Sequence, residues 1–262
     1  MSVDFFLLSF FYFREMKVLG IDIGGTGVKG AIIDTRKGRL LTERHRIPTP
    51  QPATPTAVIE TVEEMIAEFD WHGPIGCGFP AAVKHEIVKT ASNIDKAWIG
   101  MNAAAQIEKD TGCPTHLVND VDAAGFAEMK FGAGKKNKGT VLIVAVGTGI
   151  GTAIFTKGKL LPNSELGHIK VNGMIGEHYA ANSIREREEL DWETWGKRLN
   201  EYLNALEFLF WPDLIILGGG VSKKFDHYSE YIKLDAKIVP AYNENNAGMI
   251  GAALAAKKEL KP

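Results

Sequence analysis

The chain has 262 residues, of which 24% are charged and 45% hydrophobic, a balance typical of a globular protein with a sizeable core. Its formal net charge of −2 excludes both a global basic field for nucleic acid and the acidic excess that favours disorder. Two separated cysteines, Cys77 and Cys113, exclude a disulfide framework and a CxxC metal motif, and they indicate a reducing, cytoplasmic compartment.

The N-terminus carries an unusual apolar run. Residues 5–13, FFLLSFFYF, are far fewer than the roughly 20 residues that span a bilayer. Asp4 stands where a signal peptide carries Lys or Arg, and no A-x-A cleavage site follows. We expect Met16 to be the natural start and residues 1–15 to be an upstream translation artefact. A packed extension and a membrane-surface tether are the alternatives.

The segment after Met16 predicts a strand meander. Residues 17–23 and 28–34 are short apolar runs joined by a glycine turn, and a third run covers 38–47. Residues 48–55, PTPQPATP, form a connector because proline cannot join a central strand. A helix then begins, with Thr54 as its cap. Its apolar residues at helical spacing are Val58, Val62, Met65, Ile66 and Phe69.

The rest of the chain alternates strands and helices. The predicted strands cover residues 74–79, 115–119, 140–146, 152–155, 159–161 and 213–217. The predicted helices cover 100–112, 122–132 and 193–211, and a last helix begins near Ala247. One side of the 193–211 helix carries Trp195, Leu199, Leu203, Leu206 and Leu209.

The order strand, glycine turn, strand occurs twice, near residues 24 and 147. This architectural duplication predicts an α/β protein of two lobes with a central cleft, divided near residue 118. The lobes would cover 16–118 and 119–246, and the C-terminal helix at 247–262 would pack back on the first lobe.

The two glycine turns are candidate phosphate loops. IDIGGTGVKGAI and VAVGTGIGTAI both expose backbone N–H groups between strands, and a tight hairpin is the alternative for each. Neither is a Walker A loop or a dinucleotide fingerprint. Asp22 ends the first strand and can hold a metal ion or its water. Gly218 and Gly219 give a third close backbone approach, for which an ordinary βα turn is the alternative.

Polar residues follow two of the strands. Asn119 and Asp120 end one strand, where α/β folds place chemistry, and Asp120 can accept a proton from an attacking hydroxyl. An ordinary helix cap is the alternative, and Asp122 competes for either role. Glu165 and His168 are three residues apart and suit the vicinal hydroxyls of a sugar. A surface turn or a zinc pair are the alternatives.

Taken together, these segments resemble the ROK family of sugar kinases. DIGGTGVKGAI, GFPAAV, NDVDAAG, GTGIG, ELGH and GGG stand in the family's order across residues 17–256. The resemblance implies an actin-like ATPase (ribonuclease H-like) fold. Within the family, TPQPATP, ASNIDKAWIG, FGAGKKNKG, LLPNSELGH and WPDLIILGGGVSKK are similar to polyphosphate glucokinases. That similarity implies glucose as acceptor and inorganic polyphosphate, with or without ATP, as donor.

The resemblance also implies residue roles. Asp120 matches the catalytic base, and Asp22 matches the acidic residue near a donor-bound Mg²⁺. The implied sugar ligands are Asn93 (after the turn of Gly78 and Pro80), Asn119, Asp120, Glu165, His168 and Glu177. The implied donor-binding residues are Gly24, Gly25, Thr26, Gly147, Thr148 and Gly149.

Two further expectations concern charge and metal. A long polyanion needs successive cations, so Lys29, Lys135, Lys136 and Lys138 are candidates for a polyphosphate track; a solvated charged loop is the alternative. Most ROK members carry a Cys-rich zinc motif after ExGH, but residues 169–177 contain no cysteine. No zinc is therefore expected, and packing or a neighbouring subunit must fix the loop that holds His168.

The family contains rivals to a polyphosphate-dependent kinase. A strictly ATP-dependent glucokinase or another hexose kinase is the nearest one. A sugar-responsive repressor needs a DNA-binding domain, and only 15 residues precede the first strand here. An actin-like filament protein is disfavoured by the Glu165 and His168 pair. We expect a homodimer by resemblance, and neither a nucleic-acid nor a membrane partner.

Overall fold

A computed structural model describes residues 17–92, 94–243 and 246–260 of the chain. The chain divides into two compact units, the first comprising Met1–Ala127 and Asn246–Pro262 and the second Glu128–Asn245. The sequence prediction placed this boundary near residue 118, ahead of a helix. The observed division falls inside that helix because its first turns pack with the first unit. The expectations for residues 1–15 and for Asn93 lie outside the described residues.

The first unit is built on a six-stranded sheet. Its strand order is β3-β2-β1-β5-β8, with β4 also paired to β2. β1 and β2 are antiparallel, whereas β5 and β8 run parallel to β1. β6 and β7 form a separate hairpin. The bounds are β1 (Lys17–Ile23), β2 (Val28–Asp34), β3 (Arg39–Leu40), β4 (His45–Ile47), β5 (Ile75–Phe79), β6 (Val83–Lys84), β7 (Ile87–Val88) and β8 (Thr115–Asn119).

Two helices of the first unit precede the boundary at residues 127–128, and a third helix contains it. They are α1 (Pro55–Glu68), α2 (Ala103–Thr111) and α3 (Asp120–Phe131). The predicted cap of α1 is confirmed, since the Thr54 hydroxyl accepts from the amide of Ala57. Val58, Val62 and Met65 of α1 are buried as their spacing predicts. The predicted run over 38–47 is two short strands rather than one.

The last helix, α7 (Ala247–Glu259), packs on the sheet of the first unit, and its backbone lies in close contact with the strands. A methyl group on Gly20 of β1 would overlap the carbonyl oxygen of Met249, and one on Gly76 of β5 would overlap that of Ala252. A methyl group on Gly251 would overlap the carbonyl oxygen of Ala123 in α3. These glycines are therefore required for close packing.

The second unit repeats the arrangement of the first. Its five-stranded sheet has the order β11-β10-β9-β14-β15, with β9 and β10 antiparallel and β14 parallel to both β9 and β15. The predicted duplication is thus present at the level of sheet topology. The bounds are β9 (Thr140–Val146), β10 (Ile150–Thr156), β11 (Lys159–Leu161), β12 (Lys170–Val171), β13 (Met174–Ile175), β14 (Leu214–Gly218) and β15 (Lys237–Pro240).

The helices of the second unit are α4 (Gly176–Ala180), α5 (Asn182–Arg187) and α6 (Trp192–Phe210). Trp195, Leu199, Leu203 and Leu206 of α6 are fully buried, as predicted. The same prediction was wrong for Leu209, which is 56% exposed. Leu209 lies in the last turn of α6, where the neighbouring Phe208 and Trp211 are also exposed.

A buried carboxylate marks the start of the second unit. Glu128 is only 1% exposed and accepts from four N–H groups. Its donors are the amide of Ala133 at 2.9 Å, the amide of Tyr242 at 3.1 Å, and the amide and side chain of Asn243 at 2.7 and 3.0 Å. The chain passes between the units at 127–128 and again at 245–246. Glu128 therefore connects the start of the second unit to its end by hydrogen bonds.

Within the described part of the chain, no helix is long and apolar enough to cross a bilayer.

Candidate functional site

The first glycine turn, between β1 and β2, has its carbonyl groups occupied by side chains. The Thr49 hydroxyl donates to the carbonyl of Gly24 at 2.5 Å, and the Gln51 amide donates to that of Gly25 at 3.3 Å. The guanidinium of Arg46 donates to the carbonyl of Thr26 at 2.8 Å. Carbonyl oxygens would repel an approaching phosphate, so holding them by hydrogen bonds leaves the turn suited to an anion.

The second glycine turn, between β9 and β10, is held in the same way. The Ser183 hydroxyl donates to the carbonyl of Thr148 at 2.6 Å, and the Ser183 amide donates to that of Gly147 at 3.2 Å. A methyl group on Gly147 would meet nothing within 4 Å, whereas one on Gly149 would lie 2.5 Å from a carboxylate oxygen of Glu177. Gly147 therefore faces open space, whereas a side chain at residue 149 would displace the Glu177 carboxylate.

A third glycine turn follows β14. Gly219 has a φ of +78°, and a methyl group there would overlap the carbonyl oxygen of Val146 at the end of β9. Only glycine satisfies both conditions. Gly218 is not crowded in this way. The turn thus brings its backbone to the edge of the sheet where the second glycine turn begins.

Asp22 lies at the end of β1 beside the first glycine turn. Its carboxylate forms an ion pair with Lys29 at 3.1 Å. Gly248, in the first turn of α7, lies so close that a methyl group there would be 2.9 Å from the Asp22 carboxylate carbon. A helix N-terminus carries partial positive charge, so α7 and Lys29 both place positive charge beside the Asp22 carboxylate. Lys29 is thus engaged with Asp22 in this structure.

Asn119 and Asp120 take different roles at the start of α3. The side-chain oxygen of Asn119 accepts from the amides of Val121 and Asp122 at 2.9 and 3.0 Å, so Asn119 caps the helix. Its side-chain amide donates to the carbonyl of Ala81 at 3.2 Å. Asp120 is partly exposed, whereas Asp122 is 1% exposed. Accessibility therefore favours Asp120 over Asp122 as the carboxylate that meets a substrate.

Three predicted sugar ligands of the second unit lie together. His168 Nδ1 is 3.8 Å from a carboxylate oxygen of Glu165, and His168 Nε2 is 3.8 Å from one of Glu177. All three side chains retain solvent access. The pKa of Glu165 is raised, first by burial and further by the Glu177 carboxylate, while His168 opposes the shift. Two carboxylates and an imidazole at this spacing can accept and donate hydrogen bonds to several hydroxyls.

Residues 18–183, more than half of the chain, match the sequence model of the ROK family. The chain belongs to the ROK family. Polyphosphate glucokinase from Mycobacterium tuberculosis is 45% identical over 90% of this chain and 89% of its own length. Polyphosphate glucokinase from Mycobacterium leprae is 41% identical over 92% of this chain and 75% of its own length.

Solved structures of ROK kinases have the same fold as this protein. The inorganic polyphosphate/ATP-glucomannokinase from Arthrobacter sp. strain KM has a TM-score of 0.89 and 45% identity, covering 93% of this chain and 99% of its own. A ROK family glucokinase from Streptomyces griseus has a TM-score of 0.80 at 23% identity, covering 92% and 99%, and this likeness concerns the fold alone. The predicted actin-like α/β fold is confirmed.

Four residues around the glycine turns of this ROK protein were missed by sequence reasoning. Arg46, Thr49, Gln51 and Ser183 act on carbonyls that are 20 to 35 positions away. The prolines of the 48–55 connector indicated only a break in secondary structure.

The three lysines proposed for a polyphosphate track, Lys135, Lys136 and Lys138, are exposed. In the described segments, no group of three or more His, Cys, Asp or Glu side chains is arranged to hold a metal ion.

Proposed function

We propose that this ROK protein transfers a phosphoryl group from inorganic polyphosphate to the C6 hydroxyl of glucose and accepts ATP as a second donor. The observation that carries the proposal is the 45% identity to polyphosphate glucokinase over most of both chains. The similarly related Arthrobacter structure, described as an inorganic polyphosphate/ATP-glucomannokinase, supports both donors. The paired glycine turns and the Glu165, His168 and Glu177 group provide suitable chemistry for such substrates.

In the proposed mechanism, Glu165, His168 and Glu177 bind sugar hydroxyls, and Asp120 accepts the proton of the C6 hydroxyl as the C6 oxygen attacks the terminal phosphorus of the donor. The bond from that phosphorus to its bridging oxygen breaks, and the polyphosphate shortened by one phosphate, or ADP, leaves. The glycine-turn amides stabilise the charge on the donor phosphates. Because phosphoryl transfer has a loose transition state, positioning and charge stabilisation are the main contributions of the protein. Asp22 is a single carboxylate beside a glycine turn, which suits a Mg²⁺ ion carried in by the donor and neutralising its phosphates.

The test of the proposal is a matrix of donors and sugars, assayed with protein that begins at Met16. Polyphosphate and ATP are each combined with glucose, mannose and fructose at controlled Mg²⁺, and the sugar phosphate is measured. We expect glucose 6-phosphate from polyphosphate, with lower efficiency from ATP. Glucose 6-phosphate formed with ATP but not with polyphosphate would indicate the alternative, a strictly ATP-dependent glucokinase. No product from any hexose would contradict the proposal.

Glucose affinity is expected to fall in mild acid because the ionised Glu165 accepts stronger hydrogen bonds from sugar hydroxyls than the protonated carboxyl does. Its pKa is raised from the ordinary value of 4.5, so protonation begins at a higher pH than for an exposed Glu. The sign for stability is opposite: a carboxyl with a raised pKa favours the folded state as the pH falls through that pKa. Weaker binding from this group is therefore not a sign of unfolding.

Calorimetric titration of glucose without donor, from pH 4.5 to pH 8, measures this effect. Glu165→Gln should bind weakly at every pH and lose the acid dependence that this group causes. Glu64→Gln, at an exposed position of α1, is the matched control and should follow the wild type. An acid limb that persists unchanged in Glu165→Gln would assign the titration to another group.

A further inference from the structure

We propose that Thr152 is a positioning residue that fixes the orientation of Glu165 for sugar binding. The inference rests on the proposed function and concerns a residue outside the motifs that mark the family. Thr152 lies in the middle of β10, which begins directly after the second glycine turn. It is a polar residue of the core, only 3% exposed, and its hydroxyl points to the chain on both sides of Glu165.

The hydroxyl of Thr152 holds the two neighbours of Glu165. It donates to the carbonyl of Ser164 at 2.6 Å and accepts from the amide of Leu166 at 3.1 Å. The backbone carbonyl of Thr152 also accepts from the Ser164 hydroxyl at 3.0 Å. One side chain thus satisfies both the acceptor that precedes Glu165 and the donor that follows it.

Glu165 depends on these contacts because its own turn is short. It precedes a 3₁₀ turn, Leu166–His168, and its side chain makes no capping hydrogen bond. A three-residue turn supplies few internal bonds, so its direction is set by what it packs against. Gly167 lies against the same strand, since a methyl group there would overlap the carbonyl oxygen of Ile150. β10 is therefore the surface on which the sugar-binding turn is built.

β10 is well suited to this task because it is an interior strand. Thr152 pairs with Val144 of β9, and the pairing of β10 with β11 begins two residues later, at Ile154. A hydroxyl fixed on a paired strand has little freedom, and a threonine side chain is stiff about χ1. The same strand also donates the amide of Ile150 to Glu177 at 3.4 Å. Two carboxylates of the proposed sugar site thus take their positions from one strand.

Thr152→Val tests the role with little change in shape. The valine keeps the branched form but leaves the Ser164 carbonyl and the Leu166 amide without this partner. Losing buried hydrogen bonds of this kind should raise the KM for glucose and weaken calorimetric glucose binding by about tenfold. The KM for polyphosphate and the kcat at saturating glucose should change much less. Thr152→Ser, which retains the hydroxyl, should restore most of the glucose affinity.

Two further variants separate positioning from general damage. Thr156→Val changes an exposed threonine on the same strand and should match the wild type. Ser164→Ala removes the bond to the Thr152 carbonyl and the 3.3 Å contact between the two hydroxyls, but it keeps the bonds of Thr152 to the backbone of residues 164 and 166. A smaller rise in glucose KM is therefore expected. Ser164→Ala also carries the test if Thr152→Val does not fold.

Wild-type glucose affinity in Thr152→Val would overturn the inference while leaving the proposed function intact. Similar rises in the KM values for glucose and donor, with a lower melting temperature and no rescue by Thr152→Ser, would also overturn it. Such a result would indicate a purely structural role. A wild-type protein that phosphorylates no hexose would contradict the proposed function and this inference together.

Discussion

Asp120→Asn is expected to lower kcat by about a thousandfold, within the range of general base catalysis, while glucose still binds. Asparagine has the shape of aspartate but cannot accept the proton from the C6 hydroxyl. The variant should fold normally because asparagine is isosteric with aspartate, and the side-chain oxygen of residue 120 accepts from the adjacent amide of Val121 at 2.9 Å. An asparagine oxygen can keep that bond.

The measurement combines steady-state kinetics with calorimetric titration of glucose in the absence of donor. Asp110→Asn is the matched control, since Asp110 is an exposed carboxylate of α2 bonded to Gln106 in the same helix. Turnover should fall only in the variant at position 120. If Asp120→Asn retains turnover close to the wild type, the carboxylate is not the base.

The second large effect is expected for stability, from Glu128→Ala. The alanine leaves the amides of Ala133, Tyr242 and Asn243 without this acceptor in a buried position. Hydrogen bonds to a carboxylate contribute about 1.5–3 kcal/mol each, so the free energy of unfolding should fall by several kcal/mol. Glu128→Gln should lie between, because its single oxygen can accept while its amide group faces other donors.

Denaturant titration and thermal melting, followed by circular dichroism, report this loss. Glu64→Ala is the control, since it removes a carboxylate from an exposed helical position. The second unit should lose more stability than the first, because all of these donors belong to it. A Glu128→Ala protein as stable as the control would show that water or a new contact replaces the carboxylate.

Local patterns were sufficient to predict most of the fold. The buried strands β9 and β14 are uninterrupted apolar runs, and the period of α1 selects Val58, Val62 and Met65. These signals depend on neighbours along the chain. The boundary between the units could not be found in this way, because it lies within α3 and depends on which residues pack against each sheet.

The sequence motifs identify the candidate site residues, but not the residues that hold them in position. The sequence left Asp120 and Asp122 as competitors, and only burial separates them. Asn119 stays a predicted sugar ligand by resemblance; its cap on α3 and its bond to the Ala81 carbonyl could not be predicted from the sequence. Thr152 stands in the segment VAVGTGIGTAI, but its contacts could not be predicted, because its partners lie 12 and 14 positions away and follow no periodicity.

The contact of α7 with Gly20 and Gly76 has a consequence for biosynthesis. The strands of the first unit leave the ribosome early, but the helix that covers them is made last. The second unit is continuous in sequence, so it can complete its fold while the earlier strands still wait for a cover. We therefore expect nascent chains to expose an apolar face of this sheet until α7 has emerged, which favours aggregation and chaperone binding.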